Sequence, residues 1–99
     1  MVVAIYGKAV ETEYLPSLGE LFNQLVEHNV EVWVYRPFME YLLETFSAKL
    51  PDFEVFNTGS DINGKANILI SIGGDGTFLD SVSFVRSSGL PIMGINFGR

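Results

Sequence analysis

The 99-residue sequence contains no cysteine. That excludes a disulfide framework and any thiolate metal site, and it agrees with a reducing, cytoplasmic setting. Lysine and arginine number six against twelve aspartates and glutamates, a net charge of −6. An acidic chain without a basic cluster is a poor partner for nucleic acid or for an anionic membrane. If it handles phosphates, the positive potential has to come from backbone N–H groups, helix N-termini and a bound metal. No apolar run approaches the roughly 20 residues needed to cross a bilayer. The opening segment, Met1 to Lys8, has no basic leader ahead of its apolar run and reads as a first strand, not a signal peptide. The one histidine, His28, has no His, Cys or acidic partner at ligand spacing, which favours a partner for a helix C-terminus over a catalytic group.

Apolar residues make up 47% of the chain, enough to expect strands buried on both faces, or surface that something else covers. The length suits one domain, residues 1–99. The pattern predicts strands at Val2–Tyr6, Glu31–Tyr35, Phe53–Phe56, Asn67–Ile72 and Ile92–Ile95. Helices are expected from about Leu15–Ser17 to Asn29, from Pro37 to Leu50, and from Phe78 to Ser87. The first should carry Leu18, Leu21, Leu25 and Val26 on its apolar stripe, with a Ser17/Glu20 capping box and a left-handed stop at Asn29. Thr58–Gly64 reads as a polar turn. Strands alternating with helices imply right-handed crossovers and an α/β fold, a Rossmann-like, open, mostly parallel sheet with Asn67–Ile72 central.

In such a sheet, ligands bind beyond the carboxyl ends of the strands. Gly73-Gly74-Asp75-Gly76-Thr77 falls there, between an Ile-rich strand and a helix. Glycines let a phosphate or ribose approach the backbone closely, and the following helix aims its free N–H groups at the same place. Asp75 is the one charged side chain in the loop. A carboxylate repels phosphate, so it suits accepting a proton from a hydroxyl or holding Mg²⁺. The alternative is that Asp75 only caps the helix; Thr77 and Asp80, at capping-box spacing, are expected to take that role and leave Asp75 free.

Two segments carry a family resemblance: Ser71-Ile-Gly-Gly-Asp-Gly-Thr-Phe-Leu79 and Pro91-Ile-Met-Gly-Ile-Asn-Phe-Gly-Arg99. They resemble NAD kinases of the bacterial type. The Gly-Gly-Asp-Gly-Thr motif is similar to that of diacylglycerol and sphingosine kinases too, but those usually have an Asn-Glu pair soon after it and a later Gly-Thr-Gly-Asn segment, both absent here. The resemblance implies phosphorylation of the adenosine ribose 2′-hydroxyl of NAD, giving NADP, with ATP and a divalent metal, Mg²⁺, or with polyphosphate. Asp75 would accept the hydroxyl proton and, with Gly76, contact NAD; Gly73, Gly74 and Thr77 would shape the phosphate side. No direct metal ligand is assigned. A cytoplasmic homo-oligomer is implied, as is a C-terminal β-rich domain beyond Arg99, so that residues 1–99 alone would be inactive. Many relatives have a basic residue where this chain has Asp80.

Other candidates are secondary. Lys8 and Arg36 follow the first and second strands at the same sheet edge and would reach phosphate, or else be solvated loop cations. Asn96, just past the last strand, would border the ribose pocket. Trp33, Phe38 and Phe46 fall on buried periodicities and are expected in the core. A lipid kinase and a non-catalytic nucleotide-binding module remain the alternatives.

Overall fold

The structure, a computed structural model, describes residues 1–46, 50–86 and 88–97. Five strands form one sheet: β1 (Val2–Gly7), β2 (Glu31–Tyr35), β3 (Glu54–Phe56), β4 (Ile68–Gly73) and β5 (Ile92–Asn96). All pairs are parallel and the spatial order is β3-β2-β1-β4-β5. The middle strand is β1, and β4, expected to be a central strand, is an interior one, paired with β1 and β5. The chain leaves β1 towards β2 and β3, then returns to β4 on the other side of β1, so the winding reverses between β1 and β4. Their carboxyl ends flank a topological switch point, where open α/β sheets place their ligand crevice.

Helices α1 (Leu15–Glu27) and α2 (Arg36–Phe46) follow β1 and β2. Leu18 and Phe22 of α1 and Phe38, Met39 and Leu42 of α2 bury one sheet face, against Val3, Ile5, Val32, Val34, Ile70 and Ile72. Removing side chains of this size from water is worth about 1.5–3 kcal/mol each. The opposite face buries Ala4, Tyr6 and Leu69 with Phe56, Ile62 and Val85. With both faces covered, the continuous Ile-Leu-Ile run of β4 follows from burial on two sides.

Several boundaries differ from the sequence reading, each for a local reason. A 3₁₀ turn at Thr12–Tyr14 precedes α1. The helix then starts at Leu15 without a side-chain cap and with Pro16 in its first turn, so the Ser17/Glu20 box does not form. Glu20 instead accepts a hydrogen bond from Gln24 one turn on. Phe22 takes the buried place assigned to Val26, which is exposed. Asn29 does adopt positive φ, 57°, and His28 Nδ1 lies 2.8 Å from the carbonyl of Gln24 at the end of the helix. The α2 helix runs to Phe46; its expected continuation through residues 47–49 lies outside the described residues. Within the expected turn at Thr58–Gly64, α3 (Gly59–Ile62) forms because Asp61 reaches back to the N–H groups of Asn57 and Thr58. Trp33 is only half-buried: its indole donates to Glu31, and the Lys65 ammonium lies 5.1 Å from the ring centroid.

The last helix, α4 (Asp75–Phe84), begins three residues ahead of the expected Phe78. Gly73 has φ +148°, and a Cβ there would stand 2.7 Å from Thr77 Oγ1. The chain thus turns out of the sheet in one step, and Gly74, in extended conformation, serves as N-cap. Small residues let α4 lie close to the sheet: Ser71 and Ser81 are fully buried, and a Cβ on Gly94 of β5 would stand 2.8 Å from the Phe78 ring. At the far end Phe84 enters an aromatic cluster, its ring 5.1 Å from Tyr6 and 5.2 Å from Tyr35. The outer side of α4 leaves Leu79 66% exposed, and Met93 on the edge strand β5 is 46% exposed. This is open apolar surface of the kind the composition anticipates.

Two outcomes follow from this packing. Gly73→Ala meets both the positive φ and the Thr77 side chain, and is expected to cost about 2–4 kcal/mol in urea unfolding; an unchanged midpoint would contradict the turn. The Asp61 carboxyl is held below its ordinary pKa chiefly by the N–H groups of Asn57 and Thr58. A depressed folded-state pKa gives stability that is present above the ordinary carboxylate range and is lost as pH falls through the folded value. Asp61→Asn should therefore flatten the acid limb of the melting-temperature profile, whereas parallel profiles throughout the acid limb would contradict the assignment.

Candidate functional site

The carboxyl ends of β1 and β4 are fastened to each other and to their neighbours by backbone hydrogen bonds. Lys8 N–H donates to Ile72 (3.3 Å), Phe97 N–H to Gly73 (3.0 Å) and Glu11 N–H to Phe97 (3.0 Å). The Tyr14 and Phe97 rings stack at 5.1 Å. From α2, the Tyr41 hydroxyl meets both the N–H (3.1 Å) and the carbonyl (3.3 Å) of buried Val10. The loop after β1 is thus pinned at both ends and in the middle, although only its ends were legible as strand and helix.

Two crevices open on this edge and share Gly74 as a common wall. The larger, about 550 Å³, lies between the loop Lys8–Thr12 and Gly74, Gly76, Thr77 and Asp80. The smaller, about 170 Å³, lies on the β5 side and includes Gly73, Gly74, Asp75, Gly94 and Asn96. The predicted residues are therefore together at one sheet edge but divided: Lys8, Gly76 and Thr77 line one crevice, Asp75, Gly73 and Asn96 the other. Arg36 lines neither; its Nε donates to Asn57 at 2.7 Å, at the β2–β3 end.

Asp75 is the first residue of α4 and is exposed. The first hydrogen bond into that helix end runs from Phe78 N–H to the Gly74 carbonyl, 3.1 Å. The N–H groups ahead of it, on Asp75, Gly76 and Thr77, have no intrahelical acceptor and give this end its partial positive charge. That charge favours anions beside it.

Thr77 does not cap the helix. It is the third residue of α4, buried against Gly73, and no side chain caps the start. Once the turn at Gly73 sets the helix start at Asp75, the Thr77/Asp80 spacing falls inside the helix, where a capping box has no free end to serve. Asp80 is engaged instead by Lys8, whose ammonium donates to its carboxylate across the larger crevice. That hydrogen bond is the main reason the Lys8 pKa is raised. The two residues are 72 apart in sequence, a separation at which no local pattern announces a pair. Among the described residues no group of three or more His, Cys, Asp or Glu is placed to hold a metal ion. No helix is long and apolar enough to cross a membrane, among the described residues.

Residues 3–99 match the family of ATP-NAD kinase N-terminal domains. The chain is 38% identical over its whole length to an NAD kinase of Flavobacterium johnsoniae, and 36% identical to one of Flavobacterium psychrophilum, covering 33% of each. An NAD kinase of Bacteroides fragilis is 35% identical, again over the full chain and 33% of the relative. The chain thus spans about a third of the length of these curated relatives. The Gly-Gly-Asp-Gly-Thr turn at the switch point of a parallel sheet and the match over residues 3–99 lead to one conclusion: the chain belongs to the NAD kinase family, as an ATP-NAD kinase N-terminal domain.

Proposed function

We propose that the protein phosphorylates the 2′-hydroxyl of the adenosine ribose of NAD, giving NADP, with ATP as donor, in the cytoplasm. The observation that carries this reading is the position of Asp75, a single exposed carboxylate on the first residue of α4, beside the shared Gly74 wall. Phosphoryl transfer to a hydroxyl needs positioning, charge neutralisation and a group to take the hydroxyl proton. The division of the crevices supplies these separately. The β5 side, with Asp75 and Asn96, suits a ribose. The larger side, with Lys8 and the first-turn N–H groups of α4, suits a phosphate chain.

In the proposed step an Asp75 oxygen accepts the 2′-hydroxyl proton while the ribose oxygen bonds to the terminal phosphorus of ATP. The bond from that phosphorus to the bridging oxygen breaks, and ADP leaves with the electron pair. The proton ends on Asp75 and passes to water. The donor set fits Mg²⁺, which is held by one or two carboxylates together with substrate phosphates; Asp75 is the ligand this loop offers. When bound, the metal neutralises charge on the donor phosphates. This chain's own contribution is to aim the acceptor with Gly73–Gly76, to take the proton with Asp75, and to face the phosphates with N–H groups and Lys8.

Asp75→Asn preserves shape at an exposed position and removes the proton acceptor. In the full-length protein, steady-state turnover of NAD with Mg-ATP should fall about 10²–10⁴-fold, with an unchanged thermal melt. A parallel assay with polyphosphate identifies the donor. Thr77→Ala should instead act through packing beneath Gly73, costing about 1 kcal/mol of stability with a smaller effect on turnover. Near-normal turnover in Asp75→Asn would overturn the reading.

A further inference from the structure

Lys8 is the sole cation among the described residues lining the larger crevice, and it stands there with two acids, Glu11 and Asp80. Its ammonium is paired with Asp80, and the two side chains are 55% and 49% exposed. Tyr6, buried beneath, and Tyr35 contribute the other polar groups that act on the Lys8 ammonium. Asp80 is the sixth residue of α4, about 7.5 Å along the axis from Asp75 at ~1.5 Å per residue. The pair therefore draws the ammonium along the helix, away from the first-turn N–H groups that converge near Gly74.

The backbone of Lys8 is fixed by its bond to Ile72, and the loop beyond by Val10 and Tyr41. Only the side chain is free to change partner. A water-exposed ion pair is weak and screened by salt, so it parts easily. A phosphate chain in the same crevice offers the ammonium several charged acceptors in place of one. At the same time Asp80 repels that chain directly.

Resting on the reading of the larger crevice as the donor's side, we infer that Asp80 is an internal competitor for the phosphate donor. It holds Lys8 when no donor is bound, and donor binding exchanges Lys8 from the Asp80 carboxylate to phosphate oxygens. Asp80 is on this account a positioning residue that sets donor affinity by occupying the cation the donor needs, and it takes no part in the transfer itself.

The exchange makes a prediction that simple electrostatics does not. In the wild-type background, Lys8→Met loses the phosphate contact but also removes the need to part the pair, so its cost is partly offset. With Asp80 neutralised, Lys8 is already free and its loss is felt in full. Equilibrium titration of the full-length protein with Mg-ATP, and separately with inorganic tripolyphosphate, reads this without requiring turnover. Asp80→Asn should tighten binding of both probes. Lys8→Met should weaken binding about threefold to fivefold more in the Asp80→Asn background than in wild type, the range an exposed pair can supply. Thermal melts check that each variant is folded, and Lys8→Gln replaces Lys8→Met if it is not. Equal costs in the two backgrounds would show that the residues act independently. A smaller cost in Asp80→Asn would show that Asp80 orients Lys8 productively. Absence of binding by wild type and Asp80→Asn alike would remove the donor from this crevice. Each of these overturns the inference. Failure of the NAD kinase reading is a separate result: tight, exchange-dependent binding with no NADP formed.

Discussion

The turn at Gly73 is the constraint on which the rest of the site depends. A strand buried from Leu69 to Gly73 has to leave the sheet and become a helix within one residue, and it does so at φ +148° with Thr77 packed where a Cβ would be. That turn decides that α4 begins at Asp75, which in turn decides where its unpaired N–H groups point and which crevice each loop residue faces. The direction of α4 is then held at the other end by Phe84 among Tyr6, Tyr35 and Phe56. A helix fixed at both ends presents its first turn as a rigid surface, which suits a site that works by positioning.

An acidic chain that takes the proposed phosphate donor would meet it with little positive charge of its own. The backbone supplies part of the answer, since the start of α4 is favourable to anions whatever the net charge. The larger crevice adds one lysine and, beside it, an aspartate that engages it. Because the pair is half-exposed, its contribution to folding is small, and its consequence lies in what the lysine is available to bind. The smaller crevice, on the β5 side, is separate and shares only Gly74 with the larger one.

How much of this was legible depended on the range of the interaction. The strands, their parallel arrangement and the covered faces follow from apolar periodicity and from the alternation of strands with helices, both of which are local. So do the positive φ at Asn29 and the glycine-rich turn at the sheet edge. Helix starts were less legible. Ser17/Glu20 and Thr77/Asp80 have capping spacing, yet neither caps: α1 starts at Leu15, the early end of the expected range, with Pro16 in its first turn, and α4 starts at Asp75, set by the turn at Gly73. A capping motif states only that a helix could begin there; the chain direction imposed by the sheet states where it does.

The sequence by itself determined the α/β class, the sheet edge that carries the glycine-rich turn, and Asp75 as the one carboxylate of that turn, since each depends on residues within a few positions of one another. Only the tertiary structure decided that β1 is the middle strand, that the candidate site is two crevices sharing Gly74, and that Lys8 meets Asp80. The physical reason is the winding of the sheet. It reverses between β1 and β4 and so brings the loop after β1 and the first turns of α4 together at one edge, a juxtaposition carried by strand order and by no local pattern of residues.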